Sequence, residues 1–322
     1  MNDSPNLVIS SRNDYDRTED AFVSLLERDD RFVVRRVESV QEAEQLVTDG
    51  FATVTLFLKA RWLHAQPNFE WGSFSGRRCL LDHDIYANYA SNLQTRGAWD
   101  RVFAANHFDV VITTGLRVRD RLVADGIDAV WIPKAYDPEA FFDLGGARAG
   151  WCTFGTQYPA RRAIGARLAR TTHAVARVHA PYRELNAQLN RFAGCVICNL
   201  DGTFRFGRYG RRACDLAGDR LVPLLVRVGG PTEVMLKNFE AAAAGCAVVC
   251  DRSEDVSALG FVDGESVILY DDADELVVKL RAYDADPEGL RAIAAKGRDL
   301  VRDRHTWAHR IEEFHAAVTR PA

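Results

Sequence analysis

No stretch of this chain carries the roughly 20 consecutive apolar residues that would span a bilayer. The first residues, Met-Asn-Asp-Ser-Pro-Asn, lack the basic and then apolar layout of a secretion signal. A cytoplasmic protein is therefore expected. Charge of one sign is not in excess either. Lys and Arg number 41 against 45 Asp and Glu, a net charge of −4, which argues against nucleic acid as the main partner. Cysteine is sparse and its count, seven, is odd, so complete pairing within the chain is impossible. Cys195 and Cys198 have CxxC spacing but sit in a strand-like run, Gly-Cys-Val-Ile-Cys-Asn-Leu. No second such pair and no nearby His pair completes a zinc set, so reduced, partly buried thiols are expected. A repeat of fixed period and a long low-complexity segment are also missing.

What is present is an ordinary globular mixture, 47% hydrophobic and 27% charged over 322 residues, enough for about two domains. Along the first half, short apolar runs alternate with amphipathic ones. Phe32–Val37 and Val110–Thr113 read as strands. Thr18–Arg28 carries an apolar stripe of Ala21, Phe22, Leu25 and Leu26, and Leu116–Ala124 is a helix that Gly126 can end. Pro133–Gly150 is rich in Pro and Gly and reads as a linker. The alternation then restarts with a strand at Trp151–Phe154 and closes on three successive helices. The pattern predicts an α/β protein of two tandem Rossmann-like, doubly wound domains. The expected division is 1–145 and 146–305, with 306–322 a last helix. Ligands of such sheets bind at the carboxyl ends of the strands, here expected in an interdomain cleft.

One stretch is more specific. Lys237 to Asp251 reads Lys-Asn-Phe-Glu-Ala-Ala-Ala-Ala-Gly-Cys-Ala-Val-Val-Cys-Asp: a helix with an acid, a glycine stop and a buried strand. Upstream, Gly229-Gly230-Pro231-Thr232 can open that helix. A glycine loop running into a helix N-terminus offers unpaired N–H groups and a positive dipole end to phosphate. Glu240, about two turns on, can hold a ribose diol. A nucleotide-diphosphate ligand is the reading. Lys237 can meet its phosphate, or simply pair with Glu233 at i,i+4.

These residues resemble the GT-B glycosyltransferases, closest to the bacterial group 1 and spore-maturation-type transferases. The resemblance rests on Lys237, Phe239, Glu240, Gly245 and Asp251, then Gly264-Glu265, Tyr270-Asp271, Glu275-Leu276, and His305-Thr306-Trp307 with Arg310. Looser echoes are Trp131-Ile132-Pro133 with Asp137-Pro138, and Phe154-Gly155-Thr156 with Arg161-Arg162. The likeness implies sugar transfer from a nucleoside-diphosphate donor, with no metal or other cofactor. It implies that Glu240 holds the donor ribose and that the last helix returns to the N-terminal domain. Thr232 stands where many relatives carry an acid facing the sugar.

The remaining donor-side candidates are Gly155, Thr156, Arg162, Asn199 and Arg208. Gly155-Thr156 ends a strand and opens a helix, so it can admit phosphate, with an arginine to neutralise it. Asn199 lies at a strand's carboxyl end. Arg208 sits in Phe204–Arg212, where basic residues interleave with aromatics in a loop able to close over pyrophosphate. On the acceptor side, Asp82-His83-Asp84 follows an apolar strand. His83 and Asp84 are candidate catalytic groups, able to take the acceptor proton if the reaction inverts configuration. A retaining reaction needs instead groups that stabilise the oxocarbenium and the leaving diphosphate. Arg12, Asn13 and Asp14 follow the first strand and can reach an acceptor: a small molecule, a saccharide or a peptide. Two alternatives stand beside this reading. Asp82 and Asp84 could hold a divalent metal, as in GT-A enzymes. Or Thr232 marks a degenerate transferase that binds a nucleotide or partner without turnover. A homodimer is compatible with either.

Overall fold

The computed structural model describes residues 5–12, 17–83, 85, 97–156, 159–171, 174–199 and 233–320. The chain forms two compact units, one of Met1–Lys134 with Trp307–Ala322, the other Ala135–Thr306. No helix among the described residues is long and apolar enough to cross a membrane.

In the first unit the elements run β1 (Asn6–Ser11), α1 (Arg17–Leu26), β2 (Phe32–Val37), α2 (Val40–Leu46), β3 (Thr53–Phe57), α3 (Ala60–Ala65), β4 (Arg77–Asp82), α4 (Ala98–Ala105), β5 (Val110–Thr113), α5 (Leu116–Ala124) and β6 (Ala129–Trp131). The strands form one sheet in the order β2-β1-β3-β4-β5-β6, and every pair is parallel. β1, β3 and β5 are buried at every position. Strands covered on both faces bury every side chain, so Val, Ile and Leu dominate their centres while the buried polar residues are small, Ser10, Ser11, Thr53 and Thr55 among them. Local signals set the helix ends. Ser39 caps α2 by accepting from the N–H of Glu42 at 3.1 Å. Gly126, at φ 84°, takes the left-handed turn that stops α5.

The last helix, named α12 below (Trp307–Thr319), belongs to this unit. Its Trp307 and Phe314 meet Phe22 of α1 with ring centroids 5.3 and 5.9 Å apart, and Phe314 also meets Phe32 of β2. Arg310 is buried, yet its guanidinium is not stranded. Nε donates to the carbonyl of Pro133 at 2.8 Å, and Nη1 to Glu313 at 2.8 Å.

The second unit runs β7 (Trp151–Phe154), α6 (Pro159–Ala169), β8 (Val175–Val178), α7 (Tyr182–Leu189), β9 (Gly194–Val196), α8 (Leu236–Ala243), β10 (Ala247–Asp251), α9 (Glu254–Ala258), β11 (Ile268–Tyr270), α10 (Ala273–Asp284) and α11 (Pro287–Arg304). Its sheet is again wholly parallel, in the order β11-β10-β9-β7-β8. One core cluster joins Trp151, Val196, Val249 and Tyr270 of the sheet to Leu276, Leu280 and Ile293 of the helices. Asp272 and Asp286 cap α10 and α11, and Pro287 opens the latter where no N–H is needed. Gly194 is forced by contact rather than by backbone angle, since a β-carbon there would lie 2.3 Å from the Trp151 ring.

Both sheets are doubly wound, as the alternation of apolar runs predicts. Three short helices, α3, α4 and α9, are not foreshadowed by it. Each is six, eight or five residues long, too short to display a full amphipathic repeat. The Pro- and Gly-rich stretch after residue 133 is more ordered than a linker composition implies. Asn186 and Asn190 of α7 accept from the N–H groups of Phe142 and Leu144 at 3.2 and 2.7 Å, so buried amides hold it down.

Candidate functional site

In a doubly wound sheet the chain leaves the first strand in one direction and later returns to its other side. Helices then splay apart at that strand's carboxyl end and leave a crevice. In the second unit this switch lies between β7 and β9. The carboxyl end of β7 is Phe154, followed by Gly155 at φ 79° and Thr156. The carboxyl end of β9 leads through Ile197 and Cys198 to Asn199.

Arg161, on the first turn of α6, spans this switch. Its Nε donates to the carbonyl of Cys198 at 3.0 Å and its Nη1 to that of Thr156 at 2.8 Å. One planar guanidinium thus ties the two strand ends together, which an ammonium could not do with fixed geometry. Arg162, singled out from sequence, is the exposed neighbour.

Helix α8 starts beside the same strand ends. The Met235 side chain, at the N-cap position just before it, makes no capping hydrogen bond. Instead Asn199 Oδ1 accepts from the Met235 N–H at 3.1 Å and from Asn238 Nδ2 at 2.9 Å. Asn238 Nδ2 also donates to the Met235 carbonyl at 2.8 Å. Behind them the Asn199 N–H donates to Asp251, buried at the end of β10. Once these bonds are made, Asn199 Nδ2 and Asn238 Oδ1 are buried and meet no hydrogen-bond partner among the described residues. A donor and an acceptor thus stand unspent at the mouth of a helix.

Lys237 follows on the first turn of α8. Its Nζ lies 5.7 Å from the centre of the Phe154 ring. A β-carbon on Gly155 would sit 2.3 Å from that Nζ, so the ammonium fills space that only glycine leaves open. Burial, then the nearby Arg161, lowers the Lys237 pKa to about 8, while Glu240 pulls the other way. Glu240 itself is buried one turn further on, in a helix whose Ala241–Ala244 run is sealed against solvent. An acid does not stay in such surroundings without partners, and Glu240 has them.

Six cysteines lie in described positions, all free and buried. Burial pushes the Cys195 thiol up, and Cys152 and Cys246 sit in contact range of it and of one another with thiols also raised. Such thiols pack as small apolar groups.

In the first unit, His83 stands just past the carboxyl end of β4 and is buried. Its ring lies 4.9 Å from Phe57 of β3 and stacks on Trp307. Its carbonyl accepts from Thr114 Oγ1 at 3.1 Å. Asp82 ends β4 and is buried too. Arg12 follows β1, two strands away in the sheet, and forms an exposed ion pair with Glu38 at 3.3 Å.

The structure therefore gathers Gly155, Thr156, Asn199 and Lys237, with Glu240 next along the helix. It sets His83 and Arg12 on different strands of the other unit. Asn13, Asp14, Asp84, Arg208, Gly229, Gly230 and Thr232 lie outside the described residues. Two members of the cluster were not singled out for these roles from sequence, Asn238 and the bridging function of Arg161. The sequence does carry a signal for Asn238: an amide in a buried alanine-rich helix needs hydrogen-bond partners.

Comparison with known proteins bears on this arrangement. Residues 210–316 match the sequence family described as glycosyl transferase-like. Among solved structures, sucrose-phosphate synthase from Thermosynechococcus elongatus superposes with a TM-score of 0.66 at 11% identity, covering 97% of this chain and 98% of that one. HepE of Anabaena, solved with UDP-glucose, gives 0.64 at 11% identity with the same coverage. The lipopolysaccharide outer core galactosyltransferase WaaB gives 0.54 at 9% identity, again over 97% and 98%. The last third of the chain thus resembles that family, and its two parallel-sheet units share the fold of these glycosyltransferases. No curated protein matches its sequence. At these identities the structural likeness is one of fold. The family match takes in α8, Lys237, Glu240 and the start of α12, including Trp307.

Proposed function

We propose that the second unit binds a nucleoside-diphosphate sugar and that the enzyme transfers the sugar to an acceptor hydroxyl without needing a metal. The observation that carries this reading is the pairing of Lys237 with the Gly155 gap beside Arg161, at the carboxyl ends of β7 and β9. Two cationic side chains and an uncapped helix N-terminus converge where a doubly wound sheet takes its ligand. They supply the charge that a divalent ion would otherwise bring to a diphosphate, so the donor needs no cation from solution. Glu240, further along α8, accepts from the ribose hydroxyls. A UDP-sugar is the donor proposed, because HepE, of the same fold, was solved with UDP and with UDP-glucose.

In the reaction the acceptor oxygen forms a bond to the anomeric carbon as the bond from that carbon to the diphosphate oxygen breaks. The nucleoside diphosphate leaves with the bonding electrons. Lys237 and Arg161 stabilise the charge that develops on it. If the reaction inverts configuration, His83 is the group proposed to take the acceptor proton.

A thermal-shift screen of UDP, GDP, TDP, ADP and CDP in excess EDTA tests the donor assignment. A ligand that binds only the folded state raises the melting temperature by mass action. UDP is expected to give the largest rise, unchanged by EDTA. A response that appears only with added Mn²⁺ or Mg²⁺ would overturn the metal-free reading.

A further inference from the structure

Gly155 and Lys237 form a fitted pair. The glycine sits at φ 79°, a backbone angle that side chains rarely adopt, and its missing β-carbon is the space taken by Lys237 Nζ and Cε. The Phe154 ring forms another side of the slot. No acid on α6 or at the end of β7 is hydrogen-bonded to Nζ. Among the described residues, the groups that shift it most are Arg161 from α6, Cys195 and Cys198 from β9 and the loop after it, and Glu240 one turn along its own helix. Arg161 brings like charge, burial holds the Cys195 thiol up, and Glu240 is the carboxylate among them. A lysine so placed is short of countercharge until an anion arrives.

From this we infer that donor binding in the second unit is coupled to proton uptake by Lys237, with Gly155 as the positioning residue that keeps the amine desolvated beforehand. The inference rests on the donor reading given above. The free site is an amine that has partly lost its proton near neutral to mildly alkaline pH. A diphosphate held against Nζ restores the countercharge and favours the ammonium. The proton comes from the buffer. At pH 8 the phosphates neither supply nor absorb it, since a phosphate monoester with a pKa of about 6 is about 99% ionised two units higher. The recognised chemistry is thus a fully ionised diphosphate.

Isothermal titration of UDP in two buffers of different ionisation enthalpy, HEPES and Tris, tests this. The difference in apparent binding enthalpy counts the protons taken up. At pH 8 about half of the free Lys237 is neutral, so uptake of about half a proton per UDP is expected; one unit lower it falls to about a tenth and is offset by a similar release from the phosphate, so the net change there is near zero. Lys237→Arg keeps the cation but cannot lose its proton, and uptake should vanish. Lys237→Met is the second variant, in case the longer arginine disturbs the slot. Gly155→Ala should push the amine into water and lower the uptake at pH 8. Binding of UDP without uptake by the wild type, or uptake that persists in Lys237→Arg or Lys237→Met, overturns the inference and leaves the donor reading intact. Failure of both UDP and GDP to bind overturns the donor reading, and the inference with it.

Discussion

The indole of Trp307 stacks on the imidazole of His83, with planes 14° apart and centroids 6.4 Å apart. The two residues come from opposite ends of the chain, and His83 is held between this indole and Phe57. Trp307→Ala removes a buried ring that also packs on Phe22, and should cost about 3–5 kcal/mol in chemical denaturation. Trp307→Phe should recover most of that stability. His83→Phe keeps a ring between Trp307 and Phe57 but removes the proton acceptor. It should lower kcat by about 10²–10⁴-fold and leave the UDP affinity unchanged. An equal loss in affinity and rate would remove His83 from the chemistry.

Glu240 is expected to read the ribose. Glu240→Gln should weaken UDP binding by about 1.5–3 kcal/mol, the scale of a charge-assisted hydrogen bond. The sharper test pairs the variant with UDP lacking the ribose hydroxyls. Each change alone should weaken binding, and the two together should cost little more than one, because they remove the same contact. Strict additivity would place Glu240 away from the ribose.

Arg161 fastens the end of β7 to the end of β9 through two carbonyls. Arg161→Lys should lower the melting temperature of the ligand-free enzyme and weaken UDP binding, since a point-charge ammonium cannot span both carbonyls. Arg162→Lys, on the exposed side of the same helix turn, should change stability by less than about 0.5 kcal/mol. A reversal of that order would show that the bridging residue is not the important one.

Lys237 makes a prediction about stability and pH. The unfolded chain holds the lysine proton up to its ordinary pKa of 10.5, the folded one only to about 8. Between those values unfolding takes up a proton, so this group lets wild-type stability rise with pH across the window and penalises the fold below it. Lys237→Met should therefore stabilise the ligand-free enzyme at neutral pH, by at most about 3 kcal/mol. The gain should shrink as pH rises from about 8 towards 10.5, followed by urea denaturation across that range. A destabilised Lys237→Met at neutral pH would show that the aliphatic packing of Lys237 outweighs the cost of its charge. The trade of stability for binding is the usual one at functional sites.

Much of the fold is legible along the chain because its signals are local. Val110–Thr113 and Trp151–Phe154 are apolar runs of strand length, and the structure makes strands of both. Leu116–Ala124 followed by Gly126 shows a helical repeat and its stop, and both are present. Short helices such as Ala60–Ala65 escape because a turn and a half gives no periodicity to see. The Pro- and Gly-rich stretch after residue 133 reads as linker because nothing in its composition reveals Asn186 and Asn190, which bind it from a helix far along the chain.

For the site the division is similar. The run Lys237–Asp251 marks its own helix, acid and strand, since spacing along one helix is fixed by the helix. The sequence by itself therefore determined two doubly wound sheets and placed an acid and a lysine on the helix at the second sheet's switch point. Only the tertiary structure decided that Arg161, not its neighbour, bridges β7 to β9, and that Gly155 makes room for Lys237. Those facts depend on side chains meeting across strands that are distant in sequence. The lowered proton affinity of Lys237 follows from the same packing, because desolvation belongs to the folded surroundings and not to the residue.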